Sequence, residues 1–156
     1  MYDLIIVGGG CAGMSAAVYA ASRNKNVLLL EKEAHLGGTI NNISTITHFL
    51  GAGVREQGHT LAERMNKQLE CYRNITVIIG QVIDAALENE EKTVTTADYK
   101  YSAKRVIIAA GTTQKEVEFP GADSQLKQHI SHNAALDAVR YKGKTVFVIG
   151  GSDGAA

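Results

Sequence analysis

The chain has 156 residues, 45% of them hydrophobic, with one proline and no tryptophan, enough for one ordinary globular core and short for two complete domains. Lys+Arg and Asp+Glu both number 16, so the formal net charge is zero and no global field draws the chain to nucleic acid or an acidic membrane surface. Cys11 and Cys71 are too few for a disulfide framework and too far apart for a CxxC pair, which fits a reducing compartment.

Tyr2 to Val7 (YDLIIV) is a short β-branched run with apolar residues on both faces, the pattern of a central parallel strand covered by helices on both sides. The uncharged stretch Leu4 to Ala21 is neither a signal peptide nor a membrane span: three consecutive glycines interrupt it, no basic region precedes it, and Asp3 stands where a signal wants lysine. A soluble, cytoplasmic protein is expected. Gly13 to Ser22 is alanine-rich and predicts a helix, and Asn26 to Leu30 (NVLLL) predicts a second buried strand, completing a βαβ unit.

Gly37 to Gly53 has the glycine, asparagine and threonine content of a loop and is too long for a passive connector, so it is expected to hold something. Arg55 to Tyr72 follows with Leu61, Met65 and Leu69 spaced by four, an amphipathic helix. Thr76 to Tyr101 changes to strands (TVIIG, QVIDAAL, KTVTTA, DYKYS) and reads as a small antiparallel meander, with the acidic run Glu88 to Glu91 as a solvated turn. Arg105 to Ala110 returns to a buried strand. Gly111 to Gly121 reads as a linker, Leu126 to Tyr141 as helical in part, and Thr145 to Ile149 as a further buried strand; there is no repeat and no low-complexity segment.

Gly8, Gly10 and Gly13 spell GxGxxG directly after a strand and before a helix. The first glycine makes the tight turn, the second lets backbone approach a pyrophosphate, and the third lets helix and strand pack closely with the helix N-terminus facing the phosphates. Glu31 ends the second strand 18 residues after Gly13, where a carboxylate can accept hydrogen bonds from a ribose diol. Strand, fingerprint, helix, strand and terminal acid together point to dinucleotide binding. NAD and FAD share this fingerprint, and it does not choose between them.

The order of segments resembles the thioredoxin reductase branch of the two-domain pyridine nucleotide-disulfide oxidoreductases. The matching stretches are YDLIIVGGGCAG, LLLEKEAHLGGTI, the loop closing at THFLG, LAERMNKQ, RVIIAAG, FPG and YKGKTVFVIGG. The resemblance implies an α/β, Rossmann-like FAD-binding domain with a parallel sheet and a small antiparallel β-meander, occupying residues 1–115. It also implies a linker and the incomplete start of a second Rossmann-like, NAD(P)H-binding domain in residues 116–156, so that the chain reads as a fragment.

By the same resemblance the FAD pyrophosphate would meet Gly8, Gly10, Cys11, Ala12 and Gly13, and Glu31, with Lys32 beside it, the adenosine ribose. Gly37, Gly38, Thr39 and Ile40 would lie along the flavin, His48 would stand where the family has a flavin-contacting asparagine, the Val82 backbone would meet the adenine, and Ala110-Gly111 would match half of an ATG turn. Thr39 replaces a glutamine and Cys11 a proline. Cys11 lies where a helix N-terminus can lower a thiol pKa, or is a small inert residue in a tight turn, the reading adopted; Cys71 is read as structural.

Aligned without gaps from YKGKTV, the family's CxxC falls on Asn133-Ala134-Ala135-Leu136, so both redox cysteines are absent and Asp137 has lost the thiol it would serve. A dithiol relay needs two sulfurs within bonding reach. No catalytic residue is therefore assigned. Gly150, Ser152 and Ala155 would open the second fingerprint. The expected partners are small-molecule nucleotides, FAD and, in the complete parent protein, NAD(P)H, with a homodimer implied by the resemblance and no nucleic acid or membrane. His129 and His132, spaced i, i+3, lack the further ligands a metal site needs, and no metal is expected. Two functions compete: an oxidoreductase passing electrons from NAD(P)H through FAD to an acceptor other than a CxxC disulfide, and a nucleotide-binding module or inactive remnant without catalysis.

Overall fold

The computed structural model describes residues 1–113 and 129–151. The chain divides into two compact units, Met1–Thr113 and Gln114–Ala156. In the first unit the elements are β1 (Tyr2–Val7), α1 (Cys11–Ser22), β2 (Val27–Glu31), a 3-10 helix (Gly38–Asn42), α2 (Gly58–Glu70), β3 (Ile75–Ile79), β4 (Val82–Ala86), β5 (Lys92–Thr96) and β6 (Lys100–Ile108).

They form one six-stranded sheet in the order β3-β2-β1-β6-β5-β4. β1 runs parallel to β2 and to β6, with Ile5 opposite Leu28 on one side and Val106 on the other, and β3 runs parallel to β2. β5 is antiparallel to both β4 and β6. The mixed α/β sheet matches the Rossmann-like expectation, with two corrections to its parts. Thr76 to Ile79 is not part of the meander; it belongs to β3, the parallel edge beside β2, and Gly80 follows it. The runs DYKYS and RVIIAA are not two strands but one: β6 pairs antiparallel with β5 through Lys100–Ala103 and parallel with β1 through Ala103–Ile108. Nothing in that stretch breaks the backbone, so the strand runs through the change of partner.

Alternation along β1 and β2 sends side chains to two cores. Leu4, Ile6, Val27 and Leu29 pack with Met14 and Ala17 of α1 and Leu69 of α2. Ile5, Leu28 and Leu30 face the other way, against Val94 of β5 and Ala103 of β6. Helices on both sides were expected of β1; the second face is covered by the antiparallel strands instead. The expectation failed because apolar residues on both faces report burial, not what does the burying. Full burial of each Leu or Ile side chain here stabilises by ~1.5–3 kcal/mol.

α1 begins at Cys11, two residues before the expected Gly13, because Met14 N–H already donates to the Gly10 carbonyl. It ends with Asn24 in the left-handed region (φ 57°), Lys25 N–H donating to the Ala20 carbonyl and Asn24 N–H to that of Ala21, a Schellman arrangement with asparagine in the glycine position. α2 starts at Gly58 rather than Arg55. Ile46 N–H donates to the Glu56 carbonyl at 2.8 Å, which holds Glu56 in a bridge and out of the helix.

The long loop is ordered by α2. Arg64 pairs with the Glu56 carboxylate at 2.8 Å and donates to the Gly51 carbonyl at 2.9 Å, while Gly53 N–H donates to Glu56 at 2.7 Å. The Arg64 guanidinium, and after it the Gly53 amide, hold the Glu56 carboxyl below the usual carboxylate range. A depressed folded-state pKa contributes stability that is present above the unfolded value and is lost as pH falls through the folded one. Loop 43–57 is therefore expected to lose amide protection once pH drops below the ordinary glutamate value of about 4.3. In Arg64→Ala the same amides should exchange faster already at neutral pH; equal protection in the two proteins would show that the pair does not hold the loop.

In the second unit the described helix is α3 (Ala134–Tyr141), with Asp137 N–H donating to the Asn133 carbonyl. The part of the expected helix before His129, and most of the linker, lie outside the described residues, as do Ser152 and Ala155 of the second fingerprint. His129 and His132 both precede α3 and share no face of it. Thr145 to Ile149 is not a strand: Val146, Phe147, Val148 and Ile149 are exposed. β-propensity needs a ladder partner to become a strand, and none of the described residues supplies one.

Candidate dinucleotide site

The C-terminal ends of β1, β2, β3 and β6 lie side by side, and their outgoing turns converge as the parallel sheet dictates. Gly8 N–H donates to the Leu30 carbonyl at 2.8 Å, Ala109 N–H to the Val7 carbonyl at 2.7 Å, and Gly80 N–H to the Glu31 carbonyl at 2.6 Å. The turn after β2 closes on the turn after β1: Gly37 N–H donates to the Gly9 carbonyl at 2.9 Å, and Gly10 and Gly37 form an isolated bridge.

Four glycines here have different reasons to be glycine. Gly8 has φ 105°, and a Cβ on it would overlap the Ala109 carbonyl oxygen of the turn after β6. A Cβ on Gly13 would overlap the Gly8 carbonyl oxygen, because α1 lies hard against β1. One on Gly9 would strike the Leu36 side chain and come within 3.1 Å of Glu31. Gly10 is the exception: its backbone is ordinary (φ −72°, ψ −176°), and a Cβ would meet no protein atom closer than the Gly37 carbonyl at 3.9 Å.

Gly10 is also the residue preceding α1, whose first amides, those of Cys11, Ala12 and Gly13, come before the first intrahelical bond and carry the positive end of the helix dipole. No acidic side chain occupies that first turn. The space a side chain at position 10 would fill is thus uncrowded and lies at the N-terminus of α1, a helix end suited to an anion. Cys11 is half-buried within it, and burial pushes its thiol pKa up, outweighing the backbone hydrogen bond that favours the thiolate.

Glu31 is 7% exposed and fixed from two sides, accepting from Gly9 N–H at 2.6 Å and Glu33 N–H at 2.9 Å. Lys32 is exposed and lies 3.7 Å from Glu33. Gly37 (φ 116°) and Gly38 (φ 57°) turn the chain into the 3-10 helix that carries Thr39 and Ile40. Asn41 Nδ2 donates to the Leu36 carbonyl and closes that turn. Val82, half-buried, opens β4, while Ala110 and Gly111 (φ 69°) follow β6.

His48 stands apart. It is exposed in loop 43–57, its Nδ1 2.7 Å from Thr47 Oγ1, and it takes no part in the hydrogen bonds that assemble the glycine cradle. Sequence reasoning passed over Gly9, Leu36 and Gly58. Gly9 occupies a free position of the fingerprint, and Gly58 is required because its Cβ would overlap the Ile40 carbonyl oxygen beneath the 3-10 helix. Three glycines in a row were the only available signal for Gly9.

A family model for pyridine nucleotide-disulphide oxidoreductases matches residues 2–155. The chain belongs to that family. Within it the thioredoxin reductase of Treponema pallidum (strain Nichols) is 34% identical over 154 residues, which are 99% of this chain and 50% of that protein. A solved thioredoxin reductase from Lactococcus lactis, in its FR conformation, superposes with a TM-score of 0.81 at 30% identity, covering 90% of this chain and 46% of that one. A ferredoxin-flavin thioredoxin reductase from Clostridium acetobutylicum aligns with a TM-score of 0.67 at 30% identity, over 92% of this chain and 49% of its own. The chain spans about half the length of the curated relatives it matches. As a member of that family it carries the Rossmann-like α/β fold of the dinucleotide-binding domain of thioredoxin reductases.

In the second unit Asn133 precedes α3, and Ala134, Ala135 and Leu136 begin it. Asn133 N–H donates to Ser131 Oγ at 3.1 Å, and Ser131 Oγ donates to Asp137 Oδ2 at 2.8 Å. Ser131, then Arg140 at 3.3 Å, hold the Asp137 carboxyl below its usual range. Asp137, expected to lack the thiol it would serve, accepts from Ser131 and pairs with Arg140 in the first half of α3. Cys11 and Cys71 are both free thiols, the latter donating to the Lys67 carbonyl at the end of α2. Among the described residues there is no cluster of three or more metal-ligating side chains, and no helix is long and apolar enough to cross a membrane.

Proposed function

We propose that this chain is the FAD-binding portion of a thioredoxin reductase-like oxidoreductase that moves electrons from NAD(P)H to an acceptor other than a CxxC disulfide. The observation that carries the cofactor reading is Gly10. Among the glycines of the first turn it alone has neither a backbone nor a protein neighbour that calls for glycine, and a ligand seated in the open space beside it would account for the missing side chain. Gly8, Gly13 and the first amides of α1 would bind its pyrophosphate, Glu31 its adenosine ribose, and the Gly37–Ile40 turn would lie along the flavin. FAD, when bound, supplies the two-electron redox chemistry; the chain supplies orientation, a fixed carboxylate and backbone donors that need no reorganisation.

The acceptor reading rests on the thiols. A disulfide relay requires two sulfurs in bonding reach, and Asn133 and Leu136 stand at the aligned positions. Charge balance argues for no nucleic-acid or membrane partner, and a homodimer in the cytoplasm completes the proposal. The purified chain, mixed with excess FAD and desalted, is expected to keep a flavin absorption band that dithionite bleaches. A colourless protein of correct mass would overturn the cofactor reading, whereas retention of ADP-ribose without flavin would favour a nucleotide-binding module.

A further inference from the structure

The hydrogen bonds of Glu31 point to a second role for it. Its carboxylate, 7% exposed, spends one oxygen on Gly9 N–H at 2.6 Å and the other on Glu33 N–H at 2.9 Å. These amides belong to two different segments, the glycine turn after β1 and the turn after β2. The second segment returns at Gly37, whose N–H donates to the Gly9 carbonyl. Gly9 is therefore gripped at both ends of its backbone: its N–H by Glu31, its carbonyl by Gly37. Its missing side chain fits this grip, since a Cβ would be pressed to 3.1 Å from the Glu31 carboxylate and into Leu36.

We infer that Glu31 is a positioning residue for the phosphate cradle, holding the Gly8–Gly10 turn in its binding shape before any ligand arrives. Each carboxylate oxygen keeps a second lone pair, so holding the turn does not use up the capacity to accept a ribose hydroxyl. Anchoring the turn in the free protein removes an ordering cost from binding. A pure ribose ligand and a turn-positioning residue differ in one measurable respect: only the second affects a ligand that has no ribose.

Inorganic pyrophosphate is such a ligand, and this consequence rests on the dinucleotide reading, whereas the clamp itself does not. Glu31→Gln keeps the side chain's shape but offers an amide N–H₂ to one of the two backbone N–H groups. Pyrophosphate affinity of the full chain is then expected to fall about tenfold, the cost of a buried unsatisfied donor, although the substitution removes a negative charge and would by Coulomb's law strengthen anion binding. Gly9→Ala should produce a similar loss from the other side of the contact. The double variant should lose little more than either alone, because both break one contact.

The ligand-free protein gives an independent readout. The Gly9 amide, in a turn, should exchange slowly in the wild-type chain and at least about tenfold faster in Glu31→Ala. Gly9 exchange that is fast in the wild-type chain, or unaltered in Glu31→Ala, which removes both acceptor oxygens, overturns the inference whether or not pyrophosphate binds. Unchanged or raised pyrophosphate affinity in Glu31→Gln overturns it too. A wild-type chain that binds no pyrophosphate while its Gly9 amide is protected would count against the dinucleotide reading and leave the clamp standing.

Discussion

Gly10→Val is expected to abolish FAD binding while leaving the fold in place. The substituted residue sits at φ −72°, ψ −176°, an extended conformation that valine favours, and its Cβ meets only the Gly37 carbonyl, at an uncrowded 3.9 Å. The penalty to the protein is that of a poor N-cap, about 1 kcal/mol. The penalty to the ligand is far larger. The valine branches would occupy the approach to the amides of Cys11, Ala12 and Gly13, and loss of hydrogen bonds to a charged group costs roughly 1.5–3 kcal/mol each. Two such bonds lost correspond to a decrease of about a hundredfold or more in affinity. Quenching of flavin fluorescence on titration measures it, and a variant that binds like wild type would remove the ligand from the explanation of Gly10.

Gly13→Ala carries the opposite expectation, loss of the fold before loss of the ligand. A Cβ at position 13 coincides with the Gly8 carbonyl oxygen, and neither partner is a flexible side chain that can move aside. α1 would have to lift from β1 and uncover Met14 and Ala17, which pack against Leu4, Ile6, Val27 and Leu29. Overpacking of this kind costs typically ~1–3 kcal/mol, with backbone against backbone at the upper end. In a unit of this size the thermal midpoint falls by roughly 4–8 °C per kcal/mol, so a drop on the order of 10 °C is expected in a thermal melt. An unchanged midpoint would mean that helix and strand are not in contact at this position. The two glycines are three residues apart in one motif, yet packing against β1 accounts for Gly13 and leaves Gly10 to the proposed ligand.

What the sequence made legible was local. YDLIIV, NVLLL and the amphipathic spacing of Leu61, Met65 and Leu69 are short patterns read by their period, and each appears as β1, β2 and α2. The fingerprint was legible because its glycines are tied to adjacent strand and helix. Pairing was less so. Thr76 to Gly80 reads equally well as a parallel edge or a meander strand, and only the neighbouring β2 decides. The join between DYKYS and RVIIAA was hidden because a strand that changes partner half-way along has no compositional mark. Gly9 was missed for a related reason: its constraint comes from Glu31 and Leu36, 22 and 27 residues away, and no spacing rule reaches that far. His48 shows the converse, a position assigned through resemblance whose exposed ring lies against Thr47 Oγ1 in its own loop.

The two-sided pairing of β1 has a consequence for the order of assembly. β1 lies between β2, which follows within about one helix of chain, and β6, which comes a hundred residues later; Lys104 of β6 pairs with Asp3 at the start of β1 at 2.8 Å. During synthesis at roughly 5–20 residues per second, β1 waits on the order of 5–20 s with one edge open and its second apolar face uncovered. Ile5, Leu28 and Leu30 are exposed for that interval, since Val94 and Ala103 are not yet made. The nascent chain is then an apolar βαβ layer with an unpaired central strand, the kind of edge that pairs with other chains. The emergence of Lys100–Ile108 closes it in one step, which makes β6 the segment on which escape from aggregation depends.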